Sequence, residues 1–289
     1  MTAETSTPAK RVALIGKPLR RLHSRVMHNA AFRHYGIEAD YELAEIEPEE
    51  VGAFVASTRA PEWFGFQITA PYKQVVVEHL DEVEGPARAI GAVNSVVREA
   101  DGSLVGFNTD APGFISAVKG AGVDIAGVRA VVAGAGGAAR AVVWGLLDEG
   151  AAEVTVLNRT LERAEALAES MASVGTVTAL SAEDPRAAEA LSGCGMAVNA
   201  TTVGMTTPGT AFDVELLPVD AAVFDLVYVP PMTPLVEAAS RRGLVVRNGL
   251  DMLVAQAEIA FGRWTGISDA GPVMRRALDE WEGLESGQA

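Results

Sequence analysis

One lysine is set apart by its surroundings. Gly65-Phe66-Gln67-Ile68-Thr69-Ala70-Pro71-Tyr72-Lys73 is a β-rich run broken by proline, and it ends on one of only four lysines in the chain. Pro71 fits the first turn of a helix, which puts Lys73 at the positive end of a helix dipole, where a second positive charge is disfavoured. A lysine held in that way can pass a proton to a carbonyl during reduction. The plain alternative is a solvated surface lysine, and the scarcity of lysine weakens it. Asn108-Thr109-Asp110 follows a strand end. There Asp110 either caps the next helix or pairs with Lys73 as an acid–base couple.

A second constellation points to a dinucleotide. The strand-like run 129–133 leads straight into Gly134-Ala135-Gly136-Gly137-Ala138-Ala139, and a helical pattern continues to about Asp148. This is the G-x-G-x-x-A spelling in its required place between strand and helix. Gly134 permits the tight turn, Gly136 lets the backbone approach pyrophosphate, and the small Ala139 packs helix on strand. Free N–H groups at the helix start, where Gly137 and Ala138 lie, receive phosphate. The alternative is a tight turn in an Ala/Gly-rich chain. The next strand ends in Asn158-Arg159-Thr160, with Arg163 one helical turn further on. An NAD site would carry Asp or Glu there for the ribose hydroxyls. Two guanidinium groups and a hydroxyl instead suit a 2′-phosphate, which a carboxylate would repel. The other reading is a solvated arginine at a helix start, where the dipole disfavours it. NADP is therefore preferred over NAD.

These residues need elements to hold them. The apolar run 12–15 ends at Gly16 and Pro18 as a buried strand leaving into a loop. Met27, Ala30, Ala31 and Tyr35 share a helical spacing that Gly36 can stop, and 41–46 and 63–68 read as strands. Pro48, followed by two acids, opens another helix. Runs 93–97 and 104–107 flank Asp101-Gly102 as a hairpin. A second cycle begins after a helix at 112–121, with strands at 129–133, 154–157, 196–200 and 222–227 alternating with helices, which implies a parallel doubly wound sheet. From Leu250 the chain is helical, with Leu250, Leu253, Val254, Ala257 and Phe261 on one stripe and Met252 and Ile259 starting another beside Gln256. The expected fold is α/β: an N-terminal domain with a mixed sheet (1–111), a Rossmann-type doubly wound domain (112–247), and C-terminal helices (248–289) returning to the first.

Composition narrows the partners. The chain carries 38 acidic against 23 basic residues, a formal charge of −15, which argues against nucleic acid or an anionic membrane as partner. A 49% hydrophobic content excludes an extended disordered chain. Cys194 is the single cysteine, so no internal disulfide or cysteine-rich zinc site forms; it reads as part of a turn without a role. His23, His28, His34 and His79 show no ligand spacing with nearby acids, so no metal is expected and each reads as a helix-surface or loop histidine. The first eleven residues lack the apolar core of a signal peptide, and no apolar run approaches membrane-spanning length. A cytoplasmic protein is expected, as monomer or homodimer.

Taken in order, the motifs resemble the shikimate dehydrogenase family along nearly the whole chain. The matching pieces are Gly16-Lys17-Pro18, His28-Asn29, Thr69 with Pro71-Tyr72-Lys73, Gly91-Ala92-Val93-Asn94 and Asn108-Thr109-Asp110. They continue through the glycine turn, Asn158-Arg159-Thr160, Asn199-Ala200-Thr201, Gly204-Met205, Asp225-Leu226-Val227-Tyr228, Thr233-Pro234-Leu235 and Gly249 to Gln256. The resemblance implies an NADP-dependent oxidoreductase interconverting 3-dehydroshikimate and shikimate, a cyclic hydroxy acid, in a cleft between substrate and cofactor domains. It assigns proton transfer to Lys73 and Asp110, ring hydroxyls to Thr69, Asn94 and Gln256, and the carboxylate to Tyr228 and loop serines. It places Thr201, Met205 and Gly249 at the cofactor.

The family's carboxylate loop reads His-Ser-x-Ser-Pro, and this chain has Arg21-Leu22-His23-Ser24-Arg25. Leu22 replaces the first serine, Arg25 the proline, and only Ser24 keeps its hydroxyl, with a helix N-cap as its alternative role. An unpaired carboxylate oxygen in a closed site costs about 1–3 kcal/mol. Arg20, Arg21 or Arg25 could supply the missing partner. Otherwise the substrate is a relative such as quinate, an aminoshikimate or another cyclic polyol. A non-catalytic NADP-binding regulator is the remaining alternative, and the Lys73–Asp110 pair argues against it because binding alone needs no proton relay.

Overall fold

The computed structural model describes residues 9–19 and 21–285, so Arg20 lies outside the described residues. Along the chain, β1 (Lys10–Gly16) leads into α1 (His23–His34), whose last turn carries Arg33 and His34 where the dipole favours cations, and Gly36 closes it at φ 66°. β2 (Ala39–Glu45) follows; Pro48–Glu50 then forms a 3₁₀ turn with a Glu47/Glu50 capping box that runs into α2 (Val51–Ser57). β3 (Trp63–Ile68), β4 (Glu82–Val83), α3 (Gly85–Ile90), β5 (Ser95–Arg98) and β6 (Leu104–Phe107) complete the first cycle. The second comprises α4 (Asp110–Gly120), β7 (Arg129–Ala133), α5 (Gly137–Asp148), β8 (Glu153–Asn158), α6 (Leu161–Ser170), β9 (Val177–Ser181) and α7 (Arg186–Ser192). It continues with β10 (Met196–Asn199), β11 (Ala222–Asp225), α8 (Pro234–Arg241) and β12 (Val245–Asn248), and the chain ends in α9 (Leu250–Thr265) and α10 (Gly271–Glu285).

The chain forms two units. One contains the described residues up to Arg88, then Val93–Thr109, and the described residues from Ala257; the other contains Ala89–Ala92 and Asp110–Gln256. The first is built on a mixed six-stranded sheet of order β2-β1-β3-β5-β6-β4. β1 pairs in parallel with β2 and β3, β3 and β5 are antiparallel, and so are β5 and β6. Ile15, Val51, Val55, Phe66, Tyr72 and Val96 fill one face. The second is an all-parallel sheet of order β12-β11-β10-β7-β8-β9, the doubly wound arrangement of a Rossmann domain. Its two faces are covered separately, one by α4 and α5 residues such as Phe114, Val142 and Leu146, the other by Leu191, Leu217 and Leu235.

Several local expectations change. Lys73 does not stand in the first turn of an α-helix: residues 70–74 form turns ahead of a short 3₁₀ segment, Val75–His79. Ser24 is no N-cap, because α1 begins at His23 with Leu22 in the cap position and no side-chain cap bond. His23 and His28 are buried rather than on a helix surface. His28 stacks on Tyr41 at 4.5 Å and faces Trp264 at 5.3 Å. Strands β9 and β12 went unread because Val177–Ser181 and Val245–Asn248 are short and only partly apolar. No helix among the described residues is long and apolar enough to cross a membrane.

Candidate active site and cofactor site

In the first unit, strand direction collects candidate residues at one end of the sheet. β1 and β3 run parallel and end at Gly16 and Ile68, and antiparallel β5 begins beside the end of β3, with Gln67 opposite Ser95. β6 ends there too, with Phe107 opposite Ser95. The residues just past these ends are Lys17, Thr69, Asn94 and Asn108. Backbone bonds tie them together: Ile68 N–H donates to Asn94 C=O at 2.8 Å, Thr69 N–H to Ile15 C=O at 2.9 Å, and Val93 N–H to Lys73 C=O at 2.8 Å. Thr69 and Lys73 are half-buried and Asn94 is buried. Ser24 sits in the first turn of α1, after the loop that leaves the same end of β1.

Asn94 is held in one orientation by a neighbour that residue-type reasoning passed over. Thr109 N–H donates to Asn94 Oδ1 at 2.8 Å, and Asn94 Nδ2 donates to Thr109 Oγ1 at 2.9 Å. Both residues are buried, so the amide cannot flip without losing both bonds. Lys17 was named only within a motif; it forms an ion pair with Glu47 that raises its pKa, and Tyr72 beside it donates its hydroxyl to Ile46 C=O at 2.6 Å. Leu22 is 44% exposed.

In the second unit the C-terminal edge of the parallel sheet carries the other candidates. Gly134 adopts φ 112°, and a side chain there would meet Ala200 C=O at 2.8 Å, so the turn requires glycine. Gly136 caps α5 with no side-chain cap bond, no acid follows in the first turn, and the space beside its Cα is open. Gly137 and Ala138 begin the helix and Ala139 is fully buried against the strand. The first N–H groups of α5 thus fit a dinucleotide phosphate: they face a cradle that any side chain on Gly136 would fill. At the end of β8, Asn158 Nδ2 donates to Thr160 C=O at 2.8 Å, and Thr160 caps α6 without a side-chain bond. Arg159 and Arg163 are exposed, with Glu162 between them in the first turn of α6.

The same edge holds Thr201 and Met205 after β10, Tyr228 after β11 and Gly249 after β12. Gly249 is forced by crowding: a Cβ there would run into Leu226 C=O. Gln256 is buried on α9, and its amide donates to Leu253 C=O at 3.0 Å. Asp110 is the buried first residue of α4. The expected chemical residues therefore divide, with Ser24, Thr69, Lys73 and Asn94 in the first unit and Asp110, Tyr228 and Gln256 in the second. Missed as individuals were Asn199, Asp225 and Thr233, buried polar residues linked to one another at this edge. Their signal was polar residues ending otherwise apolar strands. Cys194 is buried beneath α7, which pushes its thiol up to about 11. Among the described residues no three potential metal ligands cluster.

Residues 14–96 match the family described as shikimate dehydrogenase substrate binding domain, and residues 117–200 the family shikimate / quinate 5-dehydrogenase. A shikimate dehydrogenase (NADP(+)) of Symbiobacterium thermophilum is 40% identical over 96% of this chain and 97% of its own. A shikimate 5-dehydrogenase from Listeria monocytogenes, solved with shikimate and NAD, superposes with a TM-score of 0.88 at 31% identity, covering 96% of this chain and 99% of that one. Quinate dehydrogenase from Corynebacterium glutamicum, solved with NAD, gives 0.86 at 31% identity, covering 94% and 99% of the two chains. A 5-ketofructose reductase of Gluconobacter gives 0.82 at 32% identity over 94% and 98%.

Proposed function

The chain belongs to the shikimate dehydrogenase family, and from that membership we propose that it is a cytoplasmic NADP-dependent oxidoreductase interconverting 3-dehydroshikimate and shikimate. The observation that carries the reading is the gathering of Thr69, Lys73 and Asn94 at one end of the first sheet, where Lys73 C=O accepts from Val93 N–H and Asn94 C=O from Ile68 N–H, in a chain whose second unit opens α5 with open space beside Gly136. NADP supplies the hydride acceptor for alcohol oxidation and, reduced, the donor for the reverse. Lys73 takes the proton of the reacting hydroxyl as it becomes a carbonyl and returns it in reduction, with Asp110 as its acid–base partner. Thr69 and Asn94 hold ring hydroxyls, and Thr109 fixes which end of the Asn94 amide is offered. Gln256 contributes a further amide, and Ser24 and Tyr228 take the carboxylate. Gly134, Gly136, Gly137 and Ala138 receive pyrophosphate; Asn158, Arg159, Thr160 and Arg163 hold the 2′-phosphate; Thr201, Met205 and Gly249 line the nicotinamide end. Saturable NADPH formation from shikimate, with NAD far less effective, is the expected result of an absorbance assay. No turnover with shikimate under either cofactor would refute the proposal.

Leu22 motivates a second reading. Its exposed apolar side chain cannot pair a carboxylate oxygen, and one of the similar structures is a reductase named for a keto sugar. On that reading Arg21 or Arg25 answers a different substituent, and a cyclic polyol replaces shikimate as best substrate. A panel of shikimate, quinate, an aminoshikimate and an uncharged polyol separates the two. A kcat/KM for shikimate orders of magnitude above the rest removes the second reading.

A further inference from the structure

We propose that Asp225 is a positioning residue, whose carboxylate, with Asn199 and Thr233, fixes the two loops that carry Thr201, Met205 and Tyr228. Asp225 is the last residue of β11 and is 1% exposed. Its Oδ1 accepts from Asn199 Nδ2 at 2.8 Å and from Val227 N–H at 3.1 Å, and its Oδ2 accepts from the Thr233 hydroxyl at 2.5 Å. Asn199, fully buried at the end of neighbouring β10, uses its whole amide. Oδ1 accepts from Thr201 N–H at 3.0 Å and Thr201 Oγ1 at 2.6 Å, and Nδ2 donates also to Val203 C=O at 3.0 Å. Thr233 Oγ1 in turn accepts from Val236 N–H and caps α8.

Except for the link between the two strand-end side chains, every one of these bonds reaches the backbone or hydroxyl of a residue beyond the strands. A network serving the core alone would have no reason to spend a buried carboxylate there, because burial disfavours its charge and raises its pKa. Its targets lie at the C-terminal edge of the parallel sheet, where open α/β sheets bind ligands. The network also reaches the third loop: Gly249 N–H donates to Val227 C=O at 3.2 Å, and the bare Cα of Gly249 lies against Leu226. A shift at Val227 therefore moves the Gly249 turn.

The inference rests on the reading that Thr201, Met205 and Gly249 face the cofactor, and its test separates the two. Asp225→Asn keeps an oxygen for Asn199 and Val227 but offers Thr233 an N–H in place of an acceptor; Thr233→Val breaks the same bond, and Thr233→Ser keeps it. Amide hydrogen exchange is measured first, on each protein without cofactor. Asp225→Asn and Thr233→Val should exchange at least about tenfold faster over residues 200–206 and 226–232, and Thr233→Ser should match wild type. NADP titration and steady-state kinetics follow, with an expected tenfold weaker NADP Kd and a lower kcat for the first two variants. Unchanged exchange in those loops, or a lowered Tm with wild-type Kd and kcat, would overturn the positioning role. If wild-type protein bound no NADP, the cofactor reading would fall, and exchange alone would still decide whether Asp225 orders the loops.

Discussion

In the second unit the phosphate cradle comes from consecutive residues, β7, the Gly134–Gly137 turn and α5, whereas in the first unit Ser24, Thr69 with Lys73, and Asn94 arrive from three separate segments. Both units use an Asn–Thr pair to aim an amide, and the pairs differ in the same way. Asn199 grips Thr201 two residues away, while Asn94 grips Thr109 across the β5–β6 hairpin. The contiguous site depends on local geometry, since a tight turn and an uncapped helix start recreate it wherever the strand is in place. The dispersed site depends on sheet direction, and only the reversal of β5 brings Asn94 beside Thr69. Proton transfer at Lys73 and cofactor binding at the Gly134–Gly137 turn should therefore fail separately when each is altered.

The largest expected effect is at Lys73. Lys73→Ala removes the proposed proton carrier and should lower kcat by about 10²–10⁴-fold, as general acid–base catalysts do when lost. Gly136→Val attacks the other unit: its φ of −89° and ψ of −173° suit valine and nothing lies within 4 Å of the new Cβ, so the protein folds. NADP affinity should still fall on the order of 100-fold by calorimetry, because the side chain fills the space of the pyrophosphate.

A third effect is on stability and belongs to the first unit. Burial among Tyr41, Phe261 and Trp264 pushes the His28 imidazole down to about 3, with Gln67 opposing only part of the shift. Between that value and the ordinary 6.5 the unfolded chain holds the extra proton, so stability is full above the window and is lost as pH falls through it. Relative to His28→Phe, wild type should lose about 2 kcal/mol more between pH 7 and pH 5 in urea titrations. Parallel curves would show that His28 takes up its proton without unfolding. The smallest effect is at the rim of the second unit. Arg159→Ala should weaken NADP about tenfold, the scale of one charge-assisted hydrogen bond, and leave NAD binding unchanged.

The same contrast explains what the sequence made legible. The glycine turn, the hairpin at Asp101-Gly102 and the helix ending at Gly36 are short-range devices whose residue types admit few conformations, and the structure has them all. The mixed sheet followed from hairpin and loop signals, and the parallel one from alternation. The setting of Lys73 was misjudged because Pro71 fits a turn as readily as a helix start. His28 was misplaced because burial of a polar ring under Phe261 and Trp264 depends on a helix more than two hundred residues away in the chain. Asp225 went unsingled for the related reason that its partners, at 199 and 233, belong to other segments.

The separation of chemistry from cofactor binding is tested most directly on one sample of Lys73→Ala protein, titrated with NADP and then assayed with shikimate. A wild-type NADP Kd together with turnover lowered by at least about a hundredfold is the expected result. Turnover within tenfold of wild type, or loss of NADP binding along with activity, would contradict it.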